Sequence, residues 1–479
     1  MLEQIRDDKI KKLENFKAKG IDPYPSSSFS KEDLQKIVKK EVGEKVIAAG
    51  RIMLFRNMGN ITFMHLQDGS GRMQIVVNKK EFSEDYKFWM KNLDVGDFIG
   101  VEGERFDTQK GEKSILARKF TLLAKSILPL PDKHKALQDE DERFRKRYLD
   151  ILFDPEVRDM IEKKAEFWNA VREFHVKHGF IEVETPVLEN TTGGADAAPF
   201  VTHHDALDMD VYLRISAGEL WQKRLMVAGF EKTFEIGRIF RNEGMSTEHL
   251  QDYTQCEAYW AYGDYKKMYK FLRDCCIYVA EKTFNTSKFK IRGFEVNLDK
   301  DWPLIDYSEE IKKQIDIDVW KASDKDIIKK LEELGIDVEI KNRGRSIDSL
   351  WKHCRKNIGG PAILINEPKI ISPLSKTCRN NPNATERFHF VIAGSEIGQG
   401  YSELNDPTDQ KERFERQQAL RNTGDKEAQM ADDEFVEALE YGMPPTCGHG
   451  FSERLFSFLM DKPVRECQIF PLMKPKKQN

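Results

Sequence analysis

Apolar residues recur at helical spacing near the start of the chain and again after about residue 155. Ile10, Leu13 and Phe16 stand at this spacing among lysines and acids, which predicts a helix over 1–20. A longer helix is expected over 156–178, where the same spacing returns. The segment between these two helices has a different pattern.

Short apolar runs replace the helical pattern between about residues 45 and 125. We predict strands at Val46–Ile52, Ile61–Leu66, Met73–Val77, 98–102 and 114–123. The sequence Asp68-Gly69-Ser70-Gly71 favours a hairpin turn between the second and third of them. Five short strands in so short a segment predict a small barrel. The OB-fold is the common barrel of this size, and it often binds single-stranded nucleic acid.

The rest of the chain alternates strands and helices without the regular rhythm of a doubly wound sheet. The proline-rich sequence Leu128-Pro129-Leu130-Pro131 is typical of a linker. We therefore predict an α+β protein. Its parts are an N-terminal helical extension (1–44), an OB-fold β-barrel (45–126), a linker (127–145) and a larger domain (146–479) with a helical insertion at about 300–360.

Composition excludes several classes of protein. With 479 residues, of which 39% are hydrophobic, the chain can bury more than one core, so disorder is not its main state. No apolar run approaches the ~18 residues of a membrane span, and no leader-like segment opens the chain. A net charge of −4 argues against non-specific coating of nucleic acid. Seven cysteines without zinc-ligand spacing predict free thiols and a cytoplasmic location.

The most specific stretch of polar residues runs from Phe234 to Glu257. It predicts a strand, a polar loop and a returning strand, with Arg241 and Glu243 on one face of the first strand. An arginine there can hold phosphate or carboxylate oxygens with two hydrogen bonds. His249 and Tyr253 can contact a phosphate and stack on a base. Taken alone, the stretch is equally compatible with a surface hairpin that carries ordinary ion pairs.

A second stretch, Gly448-His449-Gly450-Phe451-Ser452-Glu453-Arg454, leads from glycines into an apolar helix. Beside the Phe-Arg-x-Glu sequence at 240–243, it resembles motif 3 of the class II aminoacyl-tRNA synthetases, whose motif 2 is that Phe-Arg-x-Glu strand. The segment 178–186, which closes on Pro186, resembles their motif 1. The three motifs stand in the family's order. Other segments, such as Tyr401-Ser402-Glu403-Leu404-Asn405-Asp406, resemble the lysyl-tRNA synthetases in particular.

The resemblance implies an enzyme that activates L-lysine with ATP and Mg²⁺ and transfers it to the 3′ end of a lysine tRNA. The implied catalytic residues are Arg241, Glu243 and Arg454. The implied ATP-binding residues are Arg241, His249, Tyr253, Glu396 and Arg454, and the implied metal ligands are Glu396 and Glu403. Motif 1 implies a homodimer, although a helix and strand ending at Pro186 are equally compatible with internal packing.

A pocket for lysine needs a buried carboxylate and an apolar or aromatic wall, because the substrate carries an ammonium on a four-carbon stem. Glu257 and Tyr259 are two residues apart, as are Tyr401 and Glu403, so each pair can line one face of a strand. A glutamate taken alone is more often a solvated surface acid. The residues that the resemblance implies for lysine binding are Glu219, Glu257, Tyr259, Gln399, Tyr401 and Glu403.

The resemblance also implies that the barrel reads the lysine anticodon. Phe63 would stack on a base, and Arg56, Gln74 and Glu112 would supply polar contacts. Single-sequence reasoning leaves open that Phe63 belongs to the core of the barrel.

The sequence departs from the family's pattern at four places. Motif 3 is one residue shorter, the loop before Glu219 is one residue longer, and Gln399 replaces a usual asparagine. His389 stands where the family has an acidic residue linked to Mg²⁺. Histidine is a poorer ligand for this hard ion, so we expect fewer or weaker metal sites.

Three alternatives remain open from the sequence. The first is an aspartyl- or asparaginyl-type synthetase on the same scaffold. The second is a lysine-to-protein ligase, against which the barrel argues because such proteins lack the anticodon domain. The third is a nucleic-acid-binding paralogue with a weakened catalytic half, against which Arg241, Glu243 and Arg454 argue.

Overall fold

The computed structural model describes residues 2–131, 139–338, 342–425 and 427–476. The chain forms two compact units, Met1–Asp139 and Glu140–Asn479. The predicted α+β fold class, an OB-fold barrel followed by a helix-flanked antiparallel sheet, is confirmed.

The first unit is a closed five-stranded barrel with the strand order β1-β2-β3-β5-β4. Its elements are α1 (Leu2–Ala18), α2 (Leu34–Ile37), β1 (Lys45–Asn57), β2 (Ile61–Gln67), β3 (Arg72–Asn78), α3 (Tyr86–Asn92), β4 (Phe98–Asp107) and β5 (Lys113–Ala124). The predicted hairpin joins β2 to β3, where Asp68 Oδ1 accepts the backbone N–H groups of Ser70 and Gly71 at 2.7 and 3.0 Å. The helix α3 was not expected from the sequence.

Alternation along the strands builds the barrel core. Met64 and Leu66 of β2 point inward and are fully buried, as are Ile75 and Val77 of β3. Below the strands, Lys125 is buried with its Nζ 2.6 Å from Asp94 Oδ2 and 2.8 Å from Asp97 Oδ2. A buried lysine is tolerated here because two carboxylates pair with it.

The second unit is built on an eight-stranded sheet with flanking helices. Its helices are α4 (Glu140–Arg145), α5 (Arg147–Phe153), α6 (Pro155–Lys177), α7 (Glu219–Val227), α8 (Tyr265–Phe284), α9 (Tyr307–Ile315), α10 (Asp324–Glu333), α11 (Arg343–Cys354), α12 (Pro407–Asn422), α13 (Asp433–Glu440) and α14 (Arg454–Leu459). Its strands are β6 (Ile181–Glu182), β7 (Leu188–Glu189), β8 (Val201–His204), β9 (Met209–Leu213), β10 (Lys232–Phe240), β11 (Asp252–Ala261), β12 (Lys288–Ile291), β13 (Phe294–Asn297), β14 (Leu304–Asp306), β15 (Ala362–Ile365), β16 (Thr377–Cys378), β17 (Asn381–Thr385), β18 (Arg387–Ile392), β19 (Ser395–Ser402) and β20 (Thr446–Ser452).

The sheet order is β14-β15-β18-β19-β20-β11-β10-β6. Every neighbouring pair is antiparallel except the two at the edges, β14–β15 and β6–β10. The helices α6 and α8 cover one face, where Phe174 and Phe271 pack with ring centroids 5.1 Å apart. The central strands therefore have a second face that is available to a site.

Three helices, α9 to α11, form a layer with its own core around Tyr307, Leu350 and Trp351. They lie in the 300–360 region that the sequence assigns to an insertion. The last six residues of the linker assigned to 127–145 form α4, and 132–138 of that linker lie outside the described residues.

All seven cysteines are free thiols, and six of them are buried. Among the described residues, none of the helices combines the length and the apolar character that a membrane span requires.

Candidate active site

A polar cavity opens over the second face of the sheet and holds most of the residues singled out in the sequence. Its walls come from the β10–β11 loop, from β18 and β19, and from the β20–α14 junction. The sequence-predicted residues that line it are Arg241, Glu243, His249, Tyr253, Glu396, Gln399, Tyr401 and Arg454.

The expectation that Arg241 and Glu243 share a strand face is wrong. The ladder between β10 and β11 ends at the pair Phe240 and Asp252, so both residues lie in the loop. The loop still fixes Arg241, whose Nε and Nη2 donate to the carbonyl of Ile215 at 3.3 and 3.2 Å. Its guanidinium lies 5.8 Å from the centre of the Tyr253 ring, so cation and aromatic face the cavity together.

Glu248, an acid at the loop end of the cavity, contacts two arginines. Glu248 Oε1 accepts from Arg292 Nη1 at 2.6 Å, and its Oε2 lies 3.5 Å from Arg454 Nη1. Sequence reasoning missed Glu248 and Arg292, because no local pattern relates a loop residue to a hairpin 44 residues later. Burial, and then the charge of Arg454, lowers the pKa of His249 to about 4, so its ring is neutral near pH 7.

Glu396 and His389 form part of a charged network at the other wall. His389 Nε2 is 3.0 Å from Glu367 Oε1, and its Nδ1 is 3.7 Å from Glu396 Oε2. Glu396 also accepts from Trp351 Nε1 at 2.5 Å and lies 3.3 Å from Arg355 Nη1. Burial alone would raise the pKa of Glu396, but His389 and Arg355 outweigh burial and lower it to about 2. Protein donors therefore already contact both oxygens of this carboxylate.

The two implied metal ligands do not meet in the structure. Glu396 lies near the start of β19, and Glu403 follows its last residue. Seven residues of extended strand separate their backbones by about 23 Å. Within the described ranges, no group of three His, Cys, Asp or Glu side chains could hold a metal ion. Glu396 thus lines the cavity without Glu403, which is not among the lining residues.

Most of the residues that the resemblance implies for lysine binding lie on or next to β11 and β19, on either side of β20. Tyr259 on β11 and Tyr401 on β19 both stand opposite Gly448 of β20, and Glu257 stands opposite Gly450. A Cβ atom at Gly448 would lie 2.5 Å from Glu403 Oε1 and 2.6 Å from the Tyr259 ring. The glycines of this strand therefore leave the space that the side chains on either side occupy.

Glu257 is 3% exposed and is held by short-range donors. It accepts the backbone N–H of Ala217 at 3.0 Å and the hydroxyl of Tyr259 at 3.2 Å. The next residue, Gly218, has a left-handed φ of 75°, and a Cβ there would collide with Thr185. The loop before α7, which is one residue longer than in the family, thus needs a glycine at position 218. In this conformation the loop places the N–H of Ala217 against Glu257. Burial raises the pKa of Glu257, and the charge of Glu219 adds to the rise.

Lys223 of α7 joins two of the other implied lysine-binding acids. Its Nζ lies 2.7 Å from Glu219 Oε1 and 2.6 Å from Glu403 Oε2. The hydroxyl of Tyr401 also donates to Glu219. Sequence reasoning missed Lys223, although its spacing of four residues from Glu219 on a helix was an available signal. Gln399 accepts from Arg387 on the neighbouring strand.

The barrel carries the four implied anticodon-binding residues on β1, β2, β3 and the β4–β5 turn. Arg56 is paired with Phe63 across the β1–β2 ladder, and Phe63 is half-buried and lies outside the barrel core. Gln74 is buried and donates to Ser114 Oγ at 2.9 Å. Glu112 is exposed and lies 3.8 Å from Nε2 of His65, a residue missed in the sequence. His65 shares a strand face with Phe63.

Comparison with known proteins gives matches to both units. A family model described as tRNA synthetases class II (D, K and N) matches residues 139–474, and an OB-fold nucleic acid binding domain matches 46–123. The lysine–tRNA ligase of Fervidobacterium nodosum is 41% identical over 99% of this chain and 95% of its own length. That of Thermotoga maritima is 40% identical over 100% and 97%. That of Moorella thermoacetica is 40% identical over 98% of each chain.

Proposed function

The chain belongs to the class II tRNA synthetases, within the lysine–tRNA ligases, and from this premise we propose that it joins L-lysine to the 3′ end of its tRNA. The resemblance drawn from the three motifs is confirmed. In the first step the lysine carboxylate attacks the α-phosphate of ATP and pyrophosphate leaves. In the second, a ribose hydroxyl of the tRNA attacks the lysyl-adenylate and AMP leaves.

The observation that carries the proposal is the position of Arg241 between two differently charged regions. Its Nε and Nη2 donate to the carbonyl of Ile215, two residues before the Ala217 N–H that binds Glu257. On the other side, its guanidinium lies 5.8 Å from the centre of the Tyr253 ring. A guanidinium there can bind the α-phosphate and the lysine carboxylate at the same time. Neither step needs a protein nucleophile, so the chain contributes orientation and stabilisation of developing charge.

We propose that the loop end of the cavity binds ATP. Tyr253 stacks on adenine with Arg454 on the opposite face. Arg454 and His249 contact the phosphates, and Glu243 orients the nucleotide. Arg454 becomes available when phosphate oxygens replace Glu248 as its partner, since the ion pair between them is long, at 3.5 Å.

Mg²⁺ enters this proposal as a companion of ATP. Such an ion commonly uses one or two carboxylates together with phosphate oxygens. The described residues fit an ion held mainly by the nucleotide, with Glu396 as its one protein ligand. They do not fit a site built by the protein, because Trp351 and Arg355 already contact the two oxygens of Glu396.

Excess negative charge beneath the cavity supports lysine as the amino acid. Three acids, Glu219, Glu257 and Glu403, are buried there, and the ammonium of Lys223 pairs with only Glu219 and Glu403. Burial, with the charge of Glu219, raises the pKa of both Glu257 and Glu403, so the region lacks positive charge. A substrate ammonium would reduce the imbalance, whereas the side chain of aspartate would increase it. Tyr259, Gln399 and Tyr401 supply the walls for the stem. The aspartyl- or asparaginyl-type alternative and the weakened paralogue are not favoured.

Pyrophosphate exchange with lysine, aspartate and asparagine tests the proposal. We expect exchange with lysine alone, and Arg241→Ala should lower it by about 10²–10³-fold or more. Arg238→Ala is the matched control, because Arg238 stands near the end of β10, three residues before Arg241, and pairs with Asp252 outside the lining of the cavity. Exchange that survives Arg241→Ala at the wild-type rate would overturn the assignment.

We propose that the barrel binds the anticodon through Phe63, Arg56, Gln74 and Glu112, and that the protein acts in the cytoplasm, where its free thiols stay reduced.

We propose further that a second copy of the chain covers the region of motif 1. Val176, Ile181, Val187 and Leu188 are each at least 42% exposed there, and β6 is the outer strand of the sheet. Sedimentation as a stable monomer at high concentration would contradict this.

A further inference from the structure

Lys223 is the most deeply buried cation among the described residues around the amino-acid site. It is 1% exposed, and the rings of Tyr401, Phe435 and Tyr259 surround its Nζ at 5.3, 5.9 and 6.0 Å. A lysine is almost never fully buried unless it is paired. Here the partners are Glu219, four residues away on α7, and Glu403, which follows the far end of β19.

The partners of Lys223 favour its ammonium form. Burial works against the charged form, but the carboxylates of Glu219 and Glu403 outweigh it, so the pKa of Lys223 lies above its usual value. The pair with Glu219 lies within one helix, whereas the contact with Glu403 joins two distant segments. It connects α7 to a strand end 180 residues later in the sequence and fixes where that carboxylate points.

Glu403 keeps one oxygen free of this contact. Among the described residues, neither oxygen of this carboxylate accepts a hydrogen bond of good geometry, but Oε2 has the ion-pair contact with Nζ of Lys223 at 2.6 Å and Oε1 has no such contact. The side chain is 1% exposed. The free oxygen lies in the space above Gly448, beside the Tyr259 ring whose hydroxyl donates to Glu257. A buried carboxylate oxygen without a donor is costly, so this point of the structure is ready for an N–H group.

We propose that Lys223 is a positioning residue that sets the specificity of the amino-acid pocket, by taking Glu219 and one oxygen of Glu403 and leaving room for one substrate ammonium at the other oxygen. This rests on the proposed lysine ligase function. Without Lys223, Glu219 and Glu403 would be adjacent unpaired acids that must take up protons or move apart. The free oxygen would then lose its fixed position.

Lys223→Met tests the proposal, since methionine keeps much of the length and removes the charge. In pyrophosphate exchange we expect the KM for lysine to rise at least tenfold and the KM for ATP to stay within twofold. Discrimination between lysine and its uncharged analogue norleucine should also fall. A merely structural role would lower the amount of active enzyme without separating these quantities.

Lys125→Met is the matched control. Lys125 is also buried between two carboxylates, Asp94 and Asp97, but in the barrel unit. This variant should lose thermal stability and keep the wild-type KM for lysine. The comparison separates the loss of a buried ion group from the loss of Lys223 in particular.

Rescue gives a second measurement. Lys223→Ala leaves a space for a small cation, so ethylammonium should lower its lysine KM in a saturable way and should leave the control unchanged. If Lys223→Met is too unstable to assay, Lys223→Arg decides, because a guanidinium keeps the charge but moves it. A raised lysine KM with an unchanged ATP KM supports the proposal.

Two results would overturn the inference. One is a folded Lys223→Met variant with the wild-type KM for lysine. The other is a lowered KM, which would mean that Lys223 competes with the substrate for Glu403. A wild-type protein that activates no lysine would instead refute the proposed function, so the two failures are distinguishable.

Discussion

Replacing Gly448 with alanine tests whether the space between Glu403 and Tyr259 is the amino-acid site. The added Cβ would lie 2.5 Å from Glu403 Oε1 and 2.6 and 2.8 Å from two carbons of the Tyr259 ring. These separations are about 1 Å shorter than ordinary van der Waals contact. Neither neighbour moves freely, because Lys223 holds Glu403 and the Tyr259 ring is buried.

The expected cost follows from this overlap. Forcing one extra methyl group into a packed region costs roughly 1–3 kcal/mol. If the strain is relieved by displacing the free oxygen of Glu403, lysine affinity falls by about 5- to 150-fold. The KM for ATP should change little, because the atoms nearest to the new Cβ all belong to Glu403 and Tyr259.

Pyrophosphate exchange measures both KM values. Gly398→Ala is the matched control, because its Cβ would meet Leu272 and Phe451 at 3.4 Å, which is ordinary contact. Gly398 lies on the neighbouring strand β19. If Gly448→Ala folds and binds lysine as the wild type does, the substrate does not use the space beside Glu403 and Tyr259, and the assignment of the pocket fails.

Two further perturbations test the barrel and the electrostatics of the catalytic unit. Phe63→Ala should weaken tRNA charging by roughly 1–3 kcal/mol and leave lysine activation unchanged, whereas unaltered charging would contradict a stacking role. Burial raises the pKa of Glu189 from 4.5 to about 7, so the folded state loses stability as pH rises from 4.5 to 7. Glu189→Gln removes this loss. Its free energy of unfolding should match that of the wild type at pH 4.5 and exceed it by at most about 3 kcal/mol at pH 8, which thermal unfolding would show as a higher Tm at pH 8 only.

Local sequence patterns were sufficient to predict the strands of the barrel and the strand face that carries Glu257 and Tyr259. The alternation that buries Met64 and Leu66 predicts the strand β2, and the two-residue spacing of Glu257 and Tyr259 predicts their shared face. Both depend only on neighbours along the chain. The expected strand position of Arg241 failed because alternation does not say where a ladder ends. Here it ends at Phe240.

Contacts between distant segments could not be predicted. Arg292 reaches Glu248 from the tip of a separate hairpin, and Glu367 pairs with His389 across two neighbouring strands. The sequence singled out His389 as a weak metal ligand, but it carried no sign that a glutamate lies 3.0 Å away. Such pairs depend on the order of strands in the sheet, which local periodicity leaves open.

The protein's own side chains provide counter-ions in both parts of the site, the acidic region around Glu403 and the arginine-rich region around Arg454. Lys223 balances part of the acidic region, and Glu248 and Glu396 balance the arginines around the phosphate region. A buried charge without a partner costs several kcal/mol, so an empty site built only of like charges would destabilise the fold. In the proposed reaction, Arg454 exchanges one partner for another, because the phosphates of ATP replace Glu248. The substrate ammonium instead meets an oxygen that has no partner, so discrimination among amino acids depends on that oxygen more than on the rest of the pocket.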